Sequence, residues 1–234
     1  MRAIPEVPPQ SQINYIYEAS GGMKLTTRSM PVDQPGIIFE VHSEAEELAR
    51  PLVAFFETQA QAGVRFRDGQ TVELGWTLLM LREADDGQLE VLEPDFDDFP
   101  IRWCRGINGA LRHLHLQRAV CDLVGCEPLF PTICKAGVVS PGFFESSDYT
   151  MSRDTPEDSD SGWVFAQCGY EGADGEFCSL YQLALKKPEV IPFLALPAFS
   201  RVRIKPGVRE ITVNHTARSA SDSDLLRMLA TGRV

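Results

Sequence analysis

Cysteine and histidine are the residue types here that could carry nucleophilic or metal chemistry. The cysteines stand at 104, 121, 126, 134, 168 and 178, and two of the four histidines are His113 and His115. A cysteine nucleophile needs a neighbouring base or a helix terminus to hold it as thiolate. His113 and His115 are two apart, so they point to different sides of a helix. His215, in Val213-Asn214-His215-Thr216, reads as a turn residue. A zinc set drawn from Cys121, Cys126, Cys134 and His113 or His115 matches no standard ribbon or finger spacing. Asp95 and Asp97 are paired acids of the kind that exchange protons or chelate a divalent cation, but acids in loops are usually just solvated. Gly21-Gly22 and the stretch from Gly169 to Gly175 lack the Gly-Lys-Ser/Thr ending of a phosphate loop. No constellation assembles, so the expectation is a binding protein and not an enzyme, with no catalytic residue, metal ligand or cofactor.

The elements that would position these residues are those of an α+β protein: two small mixed α/β units with antiparallel sheet elements and packed helices. Pro5, Pro8, Pro9 and Gly21-Gly22 mark residues 1–22 as a flexible arm. Residues 23–127 form the first unit. Gly36 to Val41 reads as a strand, and Ser43 with Glu46 forms a capping box for a helix running towards Ala62 and stopping at Gly63. Leu48, Leu52, Phe55 and Phe56 should face its core, and Pro51 kinks it or marks a later start. Thr71 to Leu81 pairs with Gln88 to Leu92 across the turn Asp85-Asp86-Gly87, with Trp76 in the core. Ile101-Arg102-Trp103 is a further strand. Asn108 caps a second helix to Val124, ended by Gly125, with a stripe of Leu111, Leu114, Leu116, Val120 and Leu123. Pro128 and Pro131 mark the boundary to a second unit, residues 128–234. That unit ends in strands from Arg201 to Val213, broken at Pro206-Gly207, and in a helix capped by Ser221.

Net charge is −11; residues 201–234 hold seven Lys/Arg against three Asp/Glu, a net of +4, which leaves the remainder at −15. An acidic body disfavours nucleic acid, whose phosphates need Lys and Arg, and suits a basic protein partner. No run approaches the ~20 apolar residues of a membrane helix. The N-terminus lacks an apolar signal core, so the expected compartment is the cytoplasm, with reduced thiols and no membrane association.

The stretch from Arg153 to Arg203 is the most distinctive. Asp160-Ser161-Gly162-Trp163 follows Arg153 and Pro156, and Val138-Val139-Ser140 precedes them as a short apolar strand ending in Ser. Pro188 to Pro197 then supplies a proline-bounded tail holding Ile191 and Leu194, with Ala198-Phe199-Ser200 after it. Asp and Ser suit a turn, Gly162 an unusual dihedral, and Trp163 either anchors the unit or meets a partner.

In this order, from roughly Cys134 to Lys205, these residues resemble the Imm33 family of bacterial immunity proteins. One departure is the segment Ala166-Gln167-Cys168-Gly169-Tyr170-Glu171, less acidic at its start than the family's. The resemblance implies stoichiometric neutralisation of a toxin encoded next door, in contact-dependent or secreted competition systems. Charge adds that the cognate toxin domain is a basic nuclease. The partner-binding residues expected are Asp154, Glu157, Asp158, Asp160 and Trp163, with Tyr170, Glu171, Asp174 and Glu176. The acids would form two loops on one side of the unit, meeting Lys or Arg in the toxin's cleft around an anchor such as Tyr170 or Phe177. The alternative is a scaffold or regulatory binding module unrelated to toxins.

Overall fold

The computed structural model describes residues 22–97, 99–214 and 216–232. The expected arm, residues 1–22, lies outside them apart from Gly22, as does His215. The chain divides into two compact units, residues 1–115 and 116–234, each with its own sheet. Sheets dominate and helices are the minority, an α+β protein as the residue pattern predicts.

The first unit carries six strands among the described residues: β1 (Gly22–Thr26), β2 (Ile37–His42), β3 (Thr71–Leu74), β4 (Thr77–Glu83), β5 (Leu89–Asp95) and β6 (Arg102–Arg105). Their order is β1-β2-β5-β4-β3, with β6 also on β5. Only the β2–β5 pairing is parallel; the rest are antiparallel. A 3-10 turn, Ser43–Ala45, leads into helix α1 (Glu46–Gln61), which packs on β1 and β2. The expected capping box does not form: Ser43 already lies inside the turn, and neither flanking residue makes a side-chain cap. Ala49, Leu52, Phe56 and Ala60 are the buried face of α1 at helical spacing, whereas Leu48 and Phe55 are half-buried. The helix runs through Pro51 to Gln61, and the chain turns away at Gly63, whose φ of 91° suits glycine.

Thr71 to Leu81 is two strands and not one, because the chain reverses at Gly75-Trp76; Trp76 is fully buried, as expected. Asp85 to Gly87 makes the predicted turn. Asn108 does begin helix α2 (Asn108–Val124), but its Oδ1 accepts from the His42 N–H at 2.8 Å. The orphan N–H groups at the helix start go to Glu93 on β5 instead: Gly109 N donates to Oε1 at 3.1 Å and Ala110 N to Oε2. Nothing in the residue order links Glu93 to a helix fifteen positions on; the β5–β6 hairpin brings it there.

The second unit, beyond the last turns of α2, has seven strands among the described residues: β7 (Ala136–Val139), β8 (Tyr149–Arg153), β9 (Asp160–Gln167), β10 (Glu176–Ser179), β11 (Arg201–Lys205), β12 (Val208–Val213) and β13 (Thr216–Ser219). The order is β10-β7-β9-β8-β11-β12-β13, antiparallel except for β7–β9. Helix α3 (Leu180–Lys186) is capped by Ser179, whose Oγ accepts from Gln182 N at 3.1 Å. A 3-10 helix, Pro188–Phe193, follows. Helix α4 (Asp224–Thr231) packs on β12. Its cap is Ser223, accepting from Leu226 N at 3.4 Å; the expected Ser221 instead bonds Asp222.

Burial pushes the Glu93 carboxyl up to about 7 from 4.5, against the two helix N–H bonds that hold it down. A raised folded pKa means stability fully present below pH 4.5 and lost as pH rises through 7. Between pH 4.5 and 8 the wild type should therefore lose about 3 kcal/mol relative to Glu93→Gln. Denaturant titrations of both proteins across that range measure it, and a constant difference would contradict the assignment.

Candidate functional site

Each residue of Asp160-Ser161-Gly162-Trp163 meets a separate geometric demand. β9 runs alongside β7 with Ala136 opposite Asp160 but Val138 opposite Val164, so β9 bulges over these residues. Ser161 Oγ donates to Ala136 O at 2.7 Å, giving that carbonyl a partner at the bulge. Asp160 Oδ1 accepts from Gly162 N at 2.8 Å. Gly162 has φ of 76°, and a Cβ there would lie 2.3 Å from Asp154 O, so no other residue fits. Trp163 is fully buried, and its Nε1 donates to Leu194 O at 3.0 Å.

Arg153 joins this bulge to the rest of the unit. It sits opposite Trp163 across β8 and β9, its guanidinium 5.5 Å from the indole centre, and it is 2% exposed. Four main-chain carbonyls accept from it: Ser161 O at 3.1 Å, Leu129 O at 2.7 Å, Leu194 O at 3.2 Å and Leu196 O. Burial pulls its pKa down to about 10, which still leaves it charged at neutral pH. Carbonyl dipoles and the face of Trp163 thus stand where a carboxylate would be expected. The backbone of Arg153 is tied as well: Arg153 N donates to Ser200 O at 3.0 Å and Phe199 N to Arg153 O at 2.6 Å. The tail from Pro188 to Ser200 is therefore the segment that closes over Arg153 and Trp163.

The expected contact residues separate into two groups. Asp154, Glu157 and Asp158 are exposed and Asp160 half-buried, all on the turn that joins β8 to the start of β9. The main chain of this turn is held by Lys135, whose Nζ donates to Glu157 O and Asp160 O at 3.3 and 3.4 Å. Glu171, Asp174 and Glu176 are exposed and Tyr170 half-buried, with Tyr170 Oη donating to Asp174 O at 2.9 Å. They follow the other end of β9. The two acidic loops therefore do not lie on one side, as charge alone suggested, because β9 runs its full length between them. Trp163 is fully buried and therefore not exposed to a partner. Residue order gave no sign of Phe199, which is 74% exposed at φ of 65°.

In the first unit, the His113 ring packs edge-on to Trp76 and Phe96, with centroids 5.6 and 5.1 Å apart, and burial lowers its pKa to about 3. In the second unit Cys121 is buried, its Sγ 3.5 Å from Ala195 O, and burial raises its pKa. All six cysteines are free. Among the described residues no group of three or more His, Cys, Asp or Glu side chains is placed to hold a metal ion, and no helix is long and apolar enough to cross a membrane.

Residues 116–214 match the model of the Imm33-like domain. The C-terminal part of this chain is thus similar to the Imm33-like domain. The match extends beyond the motif at both ends, from within α2 to the end of β12, so it takes in most of the second sheet. No curated protein and no solved structure matches the chain. Within the matched range, the polar groups of Arg153, Asp160, Ser161, Gly162 and Trp163 are spent on the backbone.

Truncating Arg153 to Ala leaves buried carbonyls without a donor and should cost at least about 3 kcal/mol. Gly162→Ala should cost at least about 2 kcal/mol through the Asp154 clash. Asp158→Asn, on the exposed turn, should stay within about 0.5 kcal/mol. Denaturant unfolding of the three variants gives the ranking; a near-neutral Gly162→Ala would contradict the bulge geometry.

Proposed function

We propose that this chain is an immunity protein that binds a cognate antibacterial toxin domain and neutralises it stoichiometrically, without turnover. The observation that carries the reading is the Imm33-like match over residues 116–214. The internal satisfaction of the motif residues supports it. Groups whose donors and acceptors are committed to the backbone hold a shape and do not process a substrate. The work of recognition then falls on exposed side chains around that frame, and several of these are acidic: Asp154, Glu157 and Asp158 at one end of β9, Glu171, Asp174 and Glu176 at the other.

The same charge supports a finer reading: the toxin is a basic nuclease acting in the cytoplasm, where this protein meets it. An enzyme that handles nucleic acid displays Lys and Arg for phosphate, and an acidic inhibitor both finds that surface quickly and blocks it. Net charge of −11 fits that role.

Co-purification with the toxin domain encoded beside this gene, followed by titration of toxin activity, tests both levels. Binding with activity lost near one equivalent is the expected result. Undiminished toxin activity in excess of this protein would remove the immunity reading and leave a binding module unrelated to toxins. A neighbouring toxin that acts on membranes or in the periplasm would remove the nuclease reading alone.

A further inference from the structure

Phe199 combines two unfavourable features. Its side chain is 74% exposed, and its backbone sits at φ of 65°, a conformation that costs a bulky residue of order 1 kcal/mol or more. Glycine or asparagine would remove both penalties at that position. The strain is imposed by the frame around it: Phe199 N donates to Arg153 O, Arg153 N donates to Ser200 O, and Ser200 Oγ donates to Pro197 O at 2.6 Å. An exposed ring held in a strained backbone by hydrogen bonds to a buried residue, Arg153, is a positioned ring. Asp154 follows Arg153 directly, so the hydrogen bond from Phe199 N to Arg153 O sets the acidic turn beside it. Leu129, 44% exposed, is pinned to the same guanidinium through its carbonyl.

We infer that Phe199 is the central anchor of the partner interface, inserting into an apolar pocket on a basic protein surface, with Asp154, Glu157 and Asp158 as its charged rim. This rests on the immunity reading and locates its contact at one end of β9. An aromatic anchor ringed by charge is the form in which few residues carry most of the binding energy. The sign of the rim selects a partner rich in Lys and Arg and disfavours a second copy of this chain, whose own acids would face it.

The test uses the full-length protein and the toxin domain encoded beside it. Phe199→Gly should weaken binding at least about 30-fold while leaving the melting temperature equal or higher, since it relieves the backbone. Phe199→Asn, which tolerates the same dihedral, should behave alike. Neutralising Asp154, Glu157 and Asp158 together to amides should slow association and flatten its dependence on salt. Phe177→Ser, at the opposite end of β9, tests the competing anchor and should weaken binding far less than Phe199→Gly. Wild-type affinity in Phe199→Gly would overturn the inference. So would a large fall in its stability, which would make the ring a structural wedge, or a loss of binding confined to Phe177→Ser. A wild-type protein that does not bind the toxin at all removes the immunity reading, and the inference with it.

Discussion

The second unit depends on one buried cation. Removing a guanidinium from water costs several kcal/mol unless every donor finds an acceptor, and Arg153 finds its acceptors on three separate stretches of chain: the loop at Leu129, the bulge at Ser161 and the tail at Leu194 and Leu196. None of these stretches is held by a regular ladder at the point where it accepts. The guanidinium replaces the missing ladder, and its fork geometry fixes where each carbonyl must lie. Trp163 completes the arrangement by covering the cation and bonding Leu194. Asp160, Ser161 and Gly162 then follow as the residues that let β9 bulge without leaving buried backbone groups unpaired.

This frame accounts for a division of labour in the Imm33-like domain. Arg153, Ser161 and Trp163 face inward, and the exposed side chains of Asp154, Glu157, Asp158 and Phe199 are carried on what the frame braces. The turn from Asp154 to Asp160 is closed by Asp154 N to Gly162 O and by reciprocal bonds between Glu157 and Asp160. Phe199 is set by the same backbone pairing with Arg153. A surface braced in this way is ordered before a partner arrives, which lowers the entropy lost on binding. The first unit uses a different buried polar device, the Glu93 carboxyl at the start of α2, where it meets the positive end of the helix.

Short-range signals in the sequence translated well. The Asp-Gly turn, the glycines after α1 and α2, and the Pro206-Gly207 hairpin all rest on dihedrals that only certain residues adopt. Wherever a side chain had a choice of partners, local reasoning was overridden. Asn108 bonds His42 and leaves the helix start to Glu93, and Ser223 displaces Ser221 as the cap of α4. The Thr71 to Leu81 run is mostly apolar on both sides of Gly75-Trp76, so its reversal there was not apparent from the pattern. The Asp-Ser-Gly-Trp segment was legible as a turn with a buried tryptophan, but its meaning needed β7 beside it. The separation of the two acidic loops depends on strand direction within the sheet, which charge counting does not report. The conformation of Phe199 is set from outside by Arg153, and phenylalanine itself favours the opposite sign of φ.

Native-state hydrogen exchange of the full-length protein tests the central claim most directly. The amides of Leu129, Arg153, Asp154 and Phe199 all donate within the Arg153 arrangement. If one buried guanidinium holds these segments together, their amides should exchange only by the same large opening as the β8–β9 ladder, with matching free energies. Exchange of Leu129 and Phe199 through independent local openings, several kcal/mol below that of β9, would show that the loop and the tail are held by something other than Arg153.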